Sequence, residues 1–362
     1  MAKDIWEKKN QICPLLKEPE VYNPDTIDLL DNENARNYWL PCLEAMVERF
    51  TNKAGSLNPD NPEASEIAKI CYQEFQDLLA KIKSDPLALK PLSIRTLLEF
   101  NEDNLRSHNL KDAWHMQKES ESLQAFQEFN DRLIDIDSIN DFEEKWQELI
   151  KGALAGNVFD WGSFAVSSLL ETSTRFGFGE AMKTIERRPW FHDNFDVWIT
   201  HLNRQPYKCV VIFVDNAGVD FVLGVLPLVR EFLSLGSKVI LAGNSSPSLN
   251  DVTYSELNVY CCKAAEYCNV IKNAISTGKL VTVENGQHGP CLDLTSLSPE
   301  LCNLIKASDL VILEGMARAI HTNLDAKFTV DSIKMAVLKN EWLAKSLGAT
   351  QFAVIFRYEP AA

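Results

Sequence analysis

The sequence predicts an α/β protein: a helical N-terminal domain over residues 1–152, then a Rossmann-like domain over residues 153–362, a parallel sheet in a three-layer αβα arrangement. Three observations carry that expectation. Apolar residues recur at three- and four-residue intervals through about the first 150 positions. Beyond residue 207, short β-branched runs without polar alternation take turns with helical segments, the pattern of strands buried on both faces. The 362 residues are 46% apolar and 24% charged, a globular composition with enough apolar residues for a large core.

In the N-terminal part, "ARNYWLPCLEAMVERFTNKA", "SEIAKICYQEFQDLLAKIKS", "LSIRTLLEFNEDNLRSHN" and "FEEKWQELIKGAL" each read as an amphipathic helix. The stretches "GSLNPDNPEA" and "SDPLALKP" break them. Having no chemical motif of its own, this half is expected to cover one side of the sheet and shape a pocket. Farther on, "KCVVIFV" (208–214) reads as a strand and "VDFVLGVLPLVREFLSLG" (219–236) as a helix stopped by Gly236. "SKVILAG", "LVTVEN", "DLVILEG" and "QFAVIF" read as further strands. "DVTYSELNVYCCKAAEYC", "SPELCNLIKAS" and "SIKMAVLKNEWLAKSLG" read as the helices between them.

A net charge of −15 and a pI of about 4.9 argue against a nucleic-acid partner. An anionic substrate would need local positive charge or a metal. The nine cysteines, at 13, 42, 71, 209, 261, 262, 268, 291 and 302, include no C-x-x-C, which points to buried free thiols rather than a zinc ribbon or disulfide framework. "MAKDIWEKKNQ" lacks the apolar stretch of a signal peptide, and "FVLGVLPLV" is too short to span a bilayer. The expectation is a cytoplasmic protein with no membrane partner.

Ligands of parallel sheets bind beyond the carboxyl ends of the strands. The strand at 208–214 delivers Asp215 and Asn216 there; "GNSSPSLND" delivers Asn244, Asn250 and Asp251; "LVTVEN" ends in Asn285; "DLVILEG" ends in Glu314 and Gly315, with Arg318 soon after. Carboxylates combined with an amide oxygen suit a hard divalent cation, so Asp215, Asn216 and Asp251 are candidate metal ligands. Capping of a helix N-terminus is the rival role for Asp215 and Asn216. Asp220, on the first turn of the following helix, either faces the same mouth or serves the helix dipole. Arg318 either meets a phosphate or lies on the surface, and Lys334, expected to open the last helix, either reaches a phosphate or is solvated. Asn157 and Asp160 of "GNVFDWGS" either stop and restart a helix or line the pocket. His288 and His321 are isolated. No G-x-G-x-x-G, G-x-x-x-x-G-K-[ST] or G-x-S-x-G is present, which disfavours dinucleotide, P-loop and α/β-hydrolase chemistry.

Taken together, "GNVFD", "FVDNAGVD", "GNSSPSLND" and "DLVILEGMARAIHTNL" resemble the metal-dependent damage-control phosphatases, formerly a domain-of-unknown-function family. The likeness runs over essentially the whole chain and is greatest to the branch holding the 4′-phosphopantetheine phosphatase domain of a pantothenate kinase-like fusion protein. The resemblance implies hydrolysis of a small phosphorylated metabolite with Mn²⁺, Co²⁺, Ni²⁺ or Mg²⁺ held by Asp215, Asn216 and Asp251. It implies substrate binding by Asn157, Asp160, Asn244, Glu314, Gly315, Arg318 and Asn323, and catalytic parts for Asp215, Asp220 and Lys334. The branch pattern E-G-M-G-R is here "EGMAR", so Ala317 replaces a glycine and could crowd the substrate or strain the backbone. Either water or an aspartate is left as the nucleophile. The rival functions are an S-adenosylmethionine-dependent carboxyl methyltransferase, disfavoured by the missing glycine-rich loop, and a non-catalytic metal- or metabolite-binding module.

Overall fold

The computed structural model describes residues 10–56, 63–110, 112–159 and 177–361. Five helices come first: α1 Glu33–Ser56, α2 Ala64–Ser84, α3 Ile94–Ser107, α4 His115–Ser138 and α5 Phe142–Gly156. Next come α6 Phe178–Thr184, β1 His192–Asp193, α7 Phe195–Arg204 and β2 Cys209–Phe213. A π-helical turn, Asp220–Val225, runs into α8 Leu226–Ser234, which ends before Gly236 as expected. They are followed by β3 Lys238–Gly243, α9 Tyr254–Tyr267, α10 Asn269–Ser276, β4 Leu280–Glu284, α11 Pro299–Ile305 and β5 Leu310–Glu314. A second π turn, Ala317–His321, precedes β6 Asp331–Val337, α12 Glu341–Ser346 and β7 Val354–Glu359.

The seven strands form one sheet in the order β1-β7-β6-β5-β2-β3-β4. Every pairing is parallel except β6 with β7. That antiparallel pair differs from the all-parallel expectation, and so does β6 itself. "DSIKMAV" was expected to be helical, yet all seven of its residues are buried in the sheet. Only "EWLAKS" of that segment forms a helix.

Strand side chains alternate between two cores. Val210, Ile212, Val239 and Ile312 face one; Val211, Phe213, Ile240 and Leu313 face the other. The first core holds Phe126 and Phe129 of α4 and Trp146 of α5, the second Trp39, Phe50 and Phe75 of α1 and α2. The N-terminal helices therefore pack on both faces of the sheet rather than forming the single layer expected. At α5 the packing is close: a Cβ on Gly156 would lie 2.7 Å from the Asp220 Cα. This approach sets the end of α5 against the turn after β2.

Candidate active site

Polar residues gather where β2, β3 and β5 end. Asn216 bridges to Asp251, the Val252 amide donates to the Asp215 carbonyl at 2.9 Å, and the Ala217 amide donates to the Asn250 carbonyl at 2.9 Å. These bonds tie the β2 and β3 loops together, so Asp215, Asn216 and Asp251 meet although 35 positions separate the second from the third. From β5, Glu314 reaches across and accepts the Asp215 amide at 2.9 Å. The next residue, Gly315, has φ +96°, and a Cβ there would fall 2.1 Å from Asp215 Oδ2. Only glycine lets the chain turn so near that carboxylate.

Two tiers result. Asp215, Asn216, Asp251 and Lys339 line a cavity of about 300 Å³. Beneath them Asn157, at the end of α5, is 1% exposed, and its Nδ2 lies 2.8 Å from Asp215 Oδ2, 3.1 Å from Asp220 Oδ2 and 2.8 Å from Glu314 Oε1. Lys339 Nζ donates to the Asn157 carbonyl at 2.7 Å. Arg318 is buried and joins the two cavity-lining carboxylates: it donates to Asp215 Oδ1, to Asp251 Oδ2 at 2.7 Å and to Asn244 Oδ1 at 3.1 Å. Asn244 in turn donates to Asp251 at 2.9 Å and accepts from Asn285 at 2.9 Å. Arg318 is thus not a surface arginine, and it is committed to the carboxylates rather than aimed into the cavity.

Among the described residues four buried carboxylates face two cations here, and burial with their mutual charge shows in their protonation. Burial, with the charge of Asp215 added, pushes Asp220 up to about 7. Burial and then the charges of Asp220 and Asp215 hold Glu314 well above the usual carboxylate range. Asp220 Oδ1 has no hydrogen-bond partner among the described residues. Excess acid, an unsatisfied carboxylate oxygen and a hard oxygen donor set all fit a divalent cation. Asp215, Asp220 and Glu314 also bring oxygens within 4.8 Å of one another. The Asn157 amide already sits among those three, so the cavity-facing set of Asp215, Asn216 and Asp251 suits an ion better.

Other expected residues fall elsewhere. Lys334 lies on β6 with its Nζ on the carbonyls of Leu324 and Ala326 and on Glu359, at 2.9, 2.7 and 2.9 Å. It does not line the cavity; the lysine that does is Lys339, at the end of the strand that the sequence reading took for a helix. Asn323 is buried at φ +66°, donating to the Leu292 and Arg318 carbonyls and accepting from the Tyr22 hydroxyl, so it braces the segment instead of facing substrate. Asp220 is fully buried and Asn157 nearly so; both stand under the cavity. Asp160 lies outside the described residues. Ala317 needs no left-handed backbone, because it starts the π turn in an ordinary region, and its methyl lines the cavity. The other wall, Tyr38, Trp39, Cys42 and Met46 of α1 with Leu98 of α3, was not foreseen residue by residue.

A family model described as the damage-control phosphatase ARMT1-like domain matches residues 40–355. The chain belongs to that family. It is 38% identical to the 4′-phosphopantetheine phosphatase of Mus musculus, over 98% of this chain and 49% of that protein, so it spans about half the length of that relative. It is 32% identical to a damage-control phosphatase of Arabidopsis thaliana, over 88% of this chain and 87% of that one. A DUF89 family protein from Pyrococcus horikoshii shares the fold, with a TM-score of 0.61 at 17% identity, covering 89% of this chain and 97% of that one. Among the described residues no helix is long and apolar enough to cross a membrane.

Proposed function

We propose that this chain is a divalent-metal-dependent phosphatase that hydrolyses a phosphate monoester of a small metabolite, 4′-phosphopantetheine or an oxidised relative of it, in the cytoplasm. The observation that carries the reading is the joint presentation of Asp215, Asn216 and Asp251 to one cavity beside Lys339. Similarity to the mouse and Arabidopsis phosphatases supports the reaction class, and the mouse relative supports the substrate.

Asp215, Asn216 and Asp251 would hold Mn²⁺, Co²⁺, Ni²⁺ or Mg²⁺. When bound, such an ion supplies charge neutralisation at the phosphate oxygens as the ester bond breaks. Lys339 is the protein's own positive charge at the cavity edge and would orient the phosphate. Arg318 keeps Asp215 and Asp251 in place: burial works against its charge, but those two carboxylates more than offset it. Asn157 holds the second Asp215 oxygen, Oδ2, and Asn244 shares Asp251 Oδ2 with Arg318. Asp220 is sealed beneath the cavity floor, so attack by water fits this arrangement better than attack by that aspartate.

The test is phosphate release from 4′-phosphopantetheine with each of the four metals, for the wild-type protein and for Asp251→Asn. Metal-dependent release, reduced at least about 100-fold in the variant, is expected for loss of a metal-ligating charge. Absence of release from this and from generic monoesters with every metal would overturn the reading.

A further inference from the structure

The two loops that carry Asp215, Asn216 and Asp251 are both gripped by one helix, α4, through Lys118 and Ser122, which stand one turn apart on its buried side. Lys118 serves the β3 loop. Its buried ammonium lies 2.8 Å from Glu256 Oε1 and 3.1 Å from Asp112. Glu256 Oε2 in turn accepts from the Thr253 amide and hydroxyl, each at 2.8 Å, in the capping box that opens α9 just beyond Asp251. Burial works against the Lys118 charge, but Glu256 and Asp112 hold it above the usual lysine range. Ser122 serves the β2 loop. Its hydroxyl oxygen accepts from the Gly218 amide at 3.1 Å, between Asn216 and Asp220. Gly218 has φ +74°, and a Cβ there would fall 3.1 Å from the Glu121 Cβ, so the loop is pressed onto the helix. Tyr260, one turn on from Glu256 in α9, also bonds Ser122. Neither Lys118, Ser122 nor Glu256 lines the cavity.

We propose that Lys118 and Ser122 are positioning residues for the metal centre, and that α4 holds the β2 and β3 loops at the spacing a divalent ion needs. This inference rests on the metal-dependent reading and deepens it. A metal site works only when its ligands are held within roughly 0.5 Å of the productive geometry. Loops are more mobile than the elements they join, and these two are tied to a helix anchored in the core by Phe126 and Phe129. Lys118 acts on Asp251 through Glu256 and the cap of α9, and Ser122 acts on Asn216 through the Gly218 amide. Without Lys118, the Glu256 and Asp112 carboxylates would repel each other where α9 begins.

The experiment measures Mn²⁺ affinity by calorimetry, with phosphate release from 4′-phosphopantetheine at saturating Mn²⁺ in parallel. It compares wild type with Lys118→Met, Glu256→Gln, their double variant and Ser122→Ala. Ser93→Ala, which removes the cap of α3, controls for general destabilisation. Lys118→Met should raise the Kd for Mn²⁺ about tenfold and Ser122→Ala about threefold, while kcat at saturating Mn²⁺ stays within about threefold of wild type. Glu256→Gln keeps an oxygen for the cap and should match Lys118→Met, with the double variant no worse than either, because both remove one contact. In Ser93→Ala the Kd should stay within about twofold of wild type. If Lys118→Met fails to fold, Ser122→Ala and Glu256→Gln carry the comparison. Unchanged or tighter Mn²⁺ binding in the folded α4 variants, or an equal loss in Ser93→Ala, would overturn the proposal. Wild-type protein that binds Mn²⁺ yet releases no phosphate would overturn the phosphatase reading, and the calorimetry would still decide the part played by α4. Absence of Mn²⁺ binding by the wild type would overturn the metal reading and this proposal together.

Discussion

The two lysines Lys334 and Lys339 stand five positions apart on one strand and its exit and both are buried, yet only Lys339 lines the cavity. Lys334 is buried among two carbonyls and Glu359; burial lowers it to about 8, against the pull of Glu359. Lys339 reaches the cavity floor through Asn157. Lys334→Met should therefore cost about 1–3 kcal/mol in urea unfolding, from the partners it strands, while phosphate release stays within about twofold of wild type. Lys339→Met should lower kcat/KM on the order of 100-fold with the fold retained. If the folded Lys334 variant lost release and the Lys339 variant kept it, the assignment made here would be reversed.

Among the elements, α3 carries a titration unconnected to the cavity floor. Its N-terminus is closed by a Ser93–Thr96 capping box, and two turns on it buries Glu102, which burial pushes up to about 7 against the pull of Arg106. A raised carboxyl means the native state keeps a proton that the unfolded chain releases near pH 4.3. The unfolded state binds fewer protons across the window from there to about 7, so stability falls as pH rises through it. Glu102→Gln should remove that part of the slope and raise stability at pH 7.5 by roughly 2–4 kcal/mol relative to its effect at pH 4.5. Chemical denaturation of both proteins at the two pH values checks this, and equal differences at both would refute it. Two π turns, Asp220–Val225 and Ala317–His321, each start within seven residues of a strand end at the site. Such turns concentrate at functional positions because they re-aim side chains within a helical path.

Across the whole molecule, binding of a divalent ion at the proposed site would be linked to folding. The proposed ligands come from loops after two strands, fixed by bonds to α5 and β5, and no such set exists in the unfolded chain. Mn²⁺ at about 100 times its dissociation constant should add roughly 2.7 kcal/mol, seen as a melting temperature several degrees higher. Asp251→Asn should abolish the shift. A shift of the same size in the variant would place the ion elsewhere, with the buried Asp215, Asp220 and Glu314 group the alternative.

Much of this was legible beforehand, for stated reasons. The runs "CVVIF", "KVILAG" and "LVILE" lack polar alternation because both faces of the sheet are covered, so the strands and the residues at their tips could be named from the chain alone. The four motif segments carried the family, and the strand-end rule reached Asp215, Asn216 and Asp251 independently of it. What the chain alone left ambiguous was "SIKMAVLKNEW", whose apolar residues suit either period; Lys334, expected to open a helix there, lies on a strand, and Lys339 is the lysine that lines the cavity. The antiparallel β7, the split of the N-terminal helices over two faces, the burial of Arg318 between two carboxylates and the burial of Trp39 in the cavity wall were decided only by tertiary structure. Local periodicity records which face of an element is apolar. It does not record which other element that face meets, and the carboxylates and cations of this site are brought together from four separate segments.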